Sequence, residues 1–190
     1  MRMIIPALAG LAAAFLAIAL SAAETAPADP VKVIMQTSKG DITLELYPDK
    51  APLTVANFLS YADAKFYDGL IFHRVIRTFM IQGGGHRPDL ALKIDKKPIK
   101  NESGNGLRNA RGTIAMAREE ALDSATCQFF INTVNNYSLD EQKYCVFGKV
   151  VAGLDVVDAI AAVKTSTQKG YDDVPVQPVV IISVRRADAQ

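Results

Sequence analysis

The chain has 190 residues, 49% of them hydrophobic and 22% charged, with 21 Lys+Arg against 20 Asp+Glu. That near-neutral balance gives no electrostatic ground for binding nucleic acid or an anionic membrane surface. The length suits one domain with a sizeable core, so partners should be recognised by shape.

Residues 1–23 carry Arg2, an apolar run from Ile4 to Leu20, and then Ser21-Ala22-Ala23. A basic start, an apolar centre and small residues before a cut are the parts of a secretory signal peptide, with cleavage expected after Ala23. The rival is an uncleaved anchor, but the apolar run is at the low end for a span and contains Pro6 and Gly10. No stable membrane association is expected after cleavage. Residues 24–30, with Pro27 and Pro30, read as a linker, and residues 31–190 as a single domain.

Val31 to Thr37 and Ile42 to Leu46 alternate apolar and polar residues around the turn Ser38-Lys39-Gly40-Asp41, which predicts a hairpin. Pro52 suits a first helical turn, and Val55, Phe58, Leu59 and Ala62 follow at helical spacing. Leu70 to Val75 and Phe79 to Gln82 read as strands, the second ending at a turn over Gly83-Gly84-Gly85. From His86 to Asn109 the pattern dissolves into a polar loop, of a length that is unusual unless the loop frames a site or is mobile. Strands resume at Thr113 to Ala117, Gln128 to Thr133 and Cys145 to Val150. A helix over Leu154 to Ala161 and a strand over Val179 to Val184 close the chain. Many short strands, two helices and no βαβ rhythm indicate a mainly β barrel or sandwich with helices at its ends.

The stretch FHRVIRTFMIQGGG, Phe72 to Gly85, concentrates the chemistry. It sets a fixed cation, Arg74, near the apolar pair Phe79 and Met80, with a neutral amide, Gln82, two residues on. Arginine is donor-only and cannot serve as a general base near neutral pH. A site of this kind works by positioning and polarising.

Competing readings are weaker. The glycine run lacks the Lys-Ser/Thr and the following helix of a phosphate cradle. His73 and His86 have no ligand partners at metal spacing, so packing or exposure is expected for them rather than a zinc site. Cys127 has no His–Asn/Asp set around it for nucleophilic work. Export would permit a Cys127–Cys145 disulfide. If the two strands that begin at these cysteines formed an antiparallel hairpin, however, their starts would lie roughly 20 Å apart, beyond the ~7 Å limit between bridged Cα atoms.

Four ordered blocks, FHRVIRTFMIQGG, GTIAMAR (Gly112 to Arg118), QFFIN (Gln128 to Asn132) and VFGKVVAGLDVVDAI (Val146 to Ile160), closely resemble the cyclophilin family of peptidyl-prolyl cis–trans isomerases. The spacing is most similar to the exported bacterial branch. The resemblance implies a closed eight-stranded antiparallel β-barrel capped by two α-helices, no cofactor, a periplasmic location and a monomer. It implies acceleration of rotation about Xaa-Pro bonds in unfolded or flexible proline-containing polypeptides. The alternative is a proline-peptide-binding holdase with incidental isomerase activity.

By the family pattern Arg74 matches the catalytic arginine, and Phe79, Met80, Phe130 and Leu139 match the wall of the proline pocket. Gln82 matches the glutamine that orients the peptide, Ala117 and Arg118 fall where the substrate backbone is gripped, and Gln128 matches a second polar wall position. Tyr144 falls where many relatives carry a histidine. The chain departs from the pattern at Arg118, where many members have asparagine, and at Ser138, where cyclosporin-sensitive members have tryptophan. The His86 to Asn109 loop is also shorter than in eukaryotic members. These departures bear on flanking-residue preference and on inhibitor sensitivity, and none touches Arg74.

Overall fold

The computed structural model describes residues 28–93 and 97–187. The expected signal segment 1–23 and most of the linker lie outside the described residues. β1 (Val31–Thr37) and β2 (Gly40–Leu46) form the expected hairpin, in register from Val31↔Leu46 to Thr37↔Gly40. Every second residue, Val33, Met35, Ile42, Leu44 and Leu46, is buried completely, as a strand with one face on the core requires.

Helix α1 (Pro52–Asp63) begins at the expected proline but has no cap of its own. Glu102, reaching from the 87–109 loop, accepts the Leu53 N–H at 3.0 Å, the Thr54 N–H at 2.8 Å and the Thr54 hydroxyl at 2.8 Å. A carboxylate on orphan N–H groups at the positive end of a helix is favourable, and it ties the loop to the core. On the buried stripe of α1, the Phe58 ring lies 5.2 Å from Tyr67, 5.6 Å from Phe129 and 5.4 Å from Phe147.

The chain continues through β3 (Ile71–Ile76), β4 (Met80–His86), β5 (Thr113–Met116), β6 (Phe129–Asn132), the one-turn helix α2 (Ser138–Glu141), β7 (Val146–Ala152) and α3 (Leu154–Ala161). It ends with β8 (Thr165–Gln168), β9 (Tyr171–Pro175) and β10 (Ile181–Arg186). Eight strands form one antiparallel sheet in the order β10-β1-β2-β7-β5-β6-β4-β3, and β8 and β9 form a separate hairpin. No helix among the described residues is long and apolar enough to cross a membrane.

Three expectations need correction. The sheet is curled but open, not a closed barrel. Its edge strands β10 and β3 meet only at a seam: the bridge Ile71↔Val180, with Phe72 N–H donating to Val179 O at 3.0 Å and Ile181 N–H to Leu70 O at 2.7 Å. Pro178 has no N–H to extend that ladder upstream, and past the seam β3 is flanked by β9. Secondly, the described residues form three helices rather than two; the extra one, α2, is a four-residue turn too short to show periodicity. Thirdly, Gly83, Gly84 and Gly85 lie inside β4 rather than in a turn. A Cβ on Gly84 would lie 2.8 Å from the Phe129 ring, and one on Gly85 would lie 2.5 Å from Gln128 Cγ. The glycines let β4 pass beneath these neighbours.

Cys127 and Cys145 are buried and are not joined in a disulfide. They precede β6 and β7, which are separated in the sheet by β5, so the two strands are not the hairpin pair supposed from the sequence.

Candidate functional site

Register carries the site. Arg74 pairs with Gln82 across β3–β4, Gln82 with Phe130 across β4–β6, Phe130 with Ala115 across β6–β5, and Ala115 with Val146 across β5–β7. Residues opposite one another in a ladder share a face, so this row runs over one surface of five strands. Their neighbours in sequence, Val75, Ile81, Phe129 and Ile114, turn to the other face and join the main core. Met80, Ala115, Phe130, Leu139 and Val146 form a second, smaller apolar cluster, with Phe79, Ala117 and Tyr144 packed against it. Period-two alternation thus separates Phe130 from Phe129 and Met80 from Ile81.

The second cluster opens into a cavity of about 210 Å³ lined by Arg74, Phe79, Met80, Gln82, Ala117, Arg118, Phe130, Leu139, Gln142 and Tyr144. Its floor is dry: Met80 is 2% exposed, Phe130 4% and Leu139 6%. Tyr144 stands edge-on to Phe130 with ring centroids 5.8 Å apart. All but one of the residues marked out by the sequence are brought together here. The exception is Gln128, which lies in an adjoining recess with Leu92, Thr126 and Gln82. Its Oε1 accepts the Gln82 amide N–H at 2.9 Å, so it orients Gln82 from the flank.

Arg118 lines both recesses, but its fork is already occupied. It donates to the carbonyls of Glu119 at 2.8 Å and Glu120 at 2.9 Å and to that of Gln142, and its guanidinium lies 4.6 Å over the Tyr144 ring. It ties the 119–120 loop to the segment that supplies Gln142 and Tyr144.

Sequence reasoning missed the polar support behind the pocket. Asn136 Nδ2 donates to Phe79 O and to Asn132 Oδ1, each at 2.7 Å, and Asn132 Nδ2 donates to Asn109 Oδ1 at 3.1 Å. The Asn109 backbone N–H reaches Asp140 Oδ1 at 2.7 Å. Burial pushes the Asp140 carboxyl up, but hydrogen bonds from Asn109 and Arg108 outweigh it and hold the group below the usual range. This network fixes the Phe79 turn against α2, which carries Leu139. Only the Asn-rich run around position 132 hints at it in the sequence.

Arg74 is the cation at the cavity rim, its side chain 43% exposed. Its nearest carboxylate, Asp173 of β9, has Oδ2 3.7 Å from Arg74 Nε, with the aspartate side chain 40% exposed. A pair that long and that open to water is weak, and Arg74 remains a lining residue of the cavity. On the far side of Arg74, His73 and His86 stack with centroids 4.1 Å apart, both buried, neither Nδ1 having a hydrogen-bond partner. Burial, then the neighbouring His86 and Arg74, push His73 down to about 3, and burial lowers His86 as well. Both imidazoles are therefore neutral at pH 7. Among the described residues no group of three or more His, Cys, Asp or Glu is placed to hold a metal ion.

The family model described as "Cyclophilin type peptidyl-prolyl cis-trans isomerase/CLD" matches residues 32–186. A peptidyl-prolyl cis-trans isomerase of Acinetobacter baylyi is 54% identical over 157 residues, covering 80% of this chain and 84% of the relative. Peptidyl-prolyl cis-trans isomerase B of Escherichia coli is 52% identical over 159 residues, covering 80% and 97%. Among solved structures, a cyclophilin-type isomerase of Cryptosporidium parvum, crystallised in the presence of the dipeptide Ala-Pro, superimposes with a TM-score of 0.70 at 24% identity, covering 82% of this chain and 98% of that one.

Proposed function

The chain belongs to the cyclophilin-type peptidyl-prolyl cis–trans isomerase family and is a cofactor-independent isomerase, and on that premise we propose that Arg74 is its catalytic group. In this reading the proline ring enters the apolar cavity of Phe79, Met80, Phe130 and Leu139. Gln82, steadied by Gln128, holds the substrate carbonyl. Ala117, Arg118 and Tyr144 shape the approach of the flanking backbone.

The physics of the reaction favours such a site. Rotation about a peptide bond meets a barrier of about 18–20 kcal/mol because the nitrogen lone pair is shared with the carbonyl. No bond is broken, so no nucleophile is needed. In the twisted state the lone pair returns to the nitrogen, and a guanidinium aimed there gains a hydrogen bond that the planar ground state does not offer. Only such differential interactions accelerate a step, and a desolvated site strengthens them. A gain of ~4–7 kcal/mol corresponds to roughly 10³- to 10⁵-fold in rate.

The observation that carries this reading is the placement of Arg74 and Gln82, paired across β3–β4, on the rim of a cavity whose floor is apolar and buried. A holdase would need the apolar cavity but no cation beside the imide nitrogen. The signal-like character of residues 1–23 supports export to the periplasm, with unfolded or flexible proline-containing chains as substrates.

Exchange spectroscopy on a short Ala-Pro peptide with substoichiometric protein tests the assignment. Arg74→Ala should lose at least about 100-fold in kcat. Arg74→Lys should also lose most activity, because an ammonium lacks the planar fork. Near-normal turnover in either variant would falsify the lone-pair mechanism. N-terminal sequencing of the mature protein from the periplasmic fraction should read from Glu24.

A further inference from the structure

Arg74 separates two recesses. One is the cavity just described. The other, of about 460 Å³, opens on the far side of Arg74 and Gln82 and is walled by His73, His86, Tyr171 and Asp173. That far wall is the β8–β9 hairpin, which packs along β3. Tyr171 stands edge-on to His86 at 5.2 Å, and Lys169 Nζ donates to Asp89 O at 3.0 Å. The hairpin is thereby pinned to the body of the protein at its turn.

Asp173 sits in this hairpin with φ 59, a left-handed conformation that Asp and Asn tolerate better than other side-chain-bearing residues. From there its Oδ2 lies 3.7 Å from Arg74 Nε. A guanidinium is planar, and its Nε edge and its terminal nitrogens point in different directions. Asp173 thus lies nearest the Nε edge of Arg74, and Arg74 also lines the apolar cavity. The stacked imidazoles beneath Arg74 are neutral at pH 7. Asp173 is therefore the one charged side chain within ion-pair range of Arg74 among the described residues.

We propose that Asp173 is a positioning residue: held by the β8–β9 hairpin, it engages the Nε edge of Arg74 and thereby turns the outer guanidinium nitrogens toward the apolar cavity. The inference rests on the reading of Arg74 as the group that meets the imide nitrogen. It gives the hairpin, far from β3 in the sequence, a part in the reaction.

Asp173→Asn tests it, since asparagine keeps the size of the side chain and accepts the left-handed backbone. An exposed ion pair of this kind limits the effect to about two- to fivefold. The loss should fall on kcat for a neutral Ala-Pro peptide, with KM little changed, because the orientation matters in the twisted state. In the unaltered protein, raising salt from low to about 1 M should lower kcat toward the variant's value, while the variant stays flat. The Arg74 Nε–Hε NMR resonance should shift in Asp173→Asn, and the fall in kcat at unchanged KM separates a turned guanidinium from the mere loss of a nearby charge.

An unchanged or raised kcat, or an unmoved resonance, overturns the proposal; a raised kcat would mean that Asp173 restrains the guanidinium instead. If the variant's thermal midpoint shows that the hairpin is unsettled, the salt titration of the unaltered protein decides alone. Arg74→Ala run in parallel separates the two levels. Retained turnover there removes the catalytic assignment itself, whereas loss there with an unaffected Asp173→Asn removes only the positioning role.

Discussion

Gly84 and Gly85 are adjacent in β4, yet replacing each by alanine should damage different properties. At Gly84, φ is +86, and the new Cβ would lie 2.8 Å from the Phe129 ring and 3.0 Å from Cys127 O. Phe129 is buried completely and packs edge-on to Tyr67 and against Phe58, so it cannot yield cheaply. A left-handed conformation costs a non-glycine residue about 1–2 kcal/mol, and overpacking a core costs about 1–3 kcal/mol. Gly84→Ala should therefore lose roughly 2–5 kcal/mol of stability, about 5–15 °C in a thermal midpoint for a chain of this size. At Gly85 the new Cβ would instead meet Gln128 at Cγ, Cδ and Nε2, all within 2.7 Å. Gln128 is half-buried and can swing aside, but doing so breaks its 2.9 Å bond to Gln82. A hydrogen bond of this kind contributes about 1 kcal/mol, so Gly85→Ala should slow isomerisation about three- to tenfold while the midpoint moves by only a few degrees. Thermal unfolding and peptide exchange measured on both variants check the contrast. Equal loss of stability in the two, or full activity in Gly85→Ala, would show that the glycines are not there to admit Phe129 and Gln128.

Two further outcomes can be measured. His73 is pushed down to about 3 in the folded chain by burial, His86 and Arg74, against about 6.5 unfolded, so the unfolded chain binds the extra proton between those values. Stability from this group is fully present above pH 6.5 and is lost as pH falls, by about 2 kcal/mol between pH 7 and pH 5; His73→Phe should flatten that part of a urea-denaturation pH series, and an unchanged slope would exclude His73 as its source. Arg118→Ala removes the tie among Glu119, Glu120 and Gln142 and the stack on Tyr144, which should raise KM about tenfold with a smaller change in kcat. Progress curves over a range of peptide concentrations separate the two, and a loss confined to kcat would refute the strut role.

Elements with one buried face were legible because burial leaves a period. The β1–β2 alternation and the Val55, Phe58, Leu59, Ala62 stripe appear in the structure where the sequence placed them. The β8–β9 hairpin was missed because Thr165 to Asp172 is almost wholly exposed on both faces, so no alternation marks it. Helix α2 was missed for want of length. The glycine run was misread as a turn because, within a single chain segment, glycine that permits bending cannot be told from glycine that makes room. Phe129, on β6, and Gln128, just before it, are the neighbours that require the room, and both are distant in sequence. Closure of the sheet was implied by resemblance alone, and the seam beside Pro178 shows where local chemistry stops it.

For the site, the sequence identifies chemical character better than direction. Arg74, Gln82 and Phe130 were legible as a cation, an amide and an apolar wall, and their order across β3, β4 and β6 follows once the strands pair. Arg118 could be read as a free cation beside the substrate, yet three backbone carbonyls occupy it, which sequence alone cannot reveal. Asp173 shows the converse. It belongs to no periodic segment and carries no motif, and its effect depends on a hairpin bringing one oxygen near one edge of Arg74. In a reaction without bond cleavage, a guanidinium stabilises the twisted imide only when its donors face the nitrogen. On the proposal made above, Asp173 sets this orientation and so serves the reaction as a positioning residue.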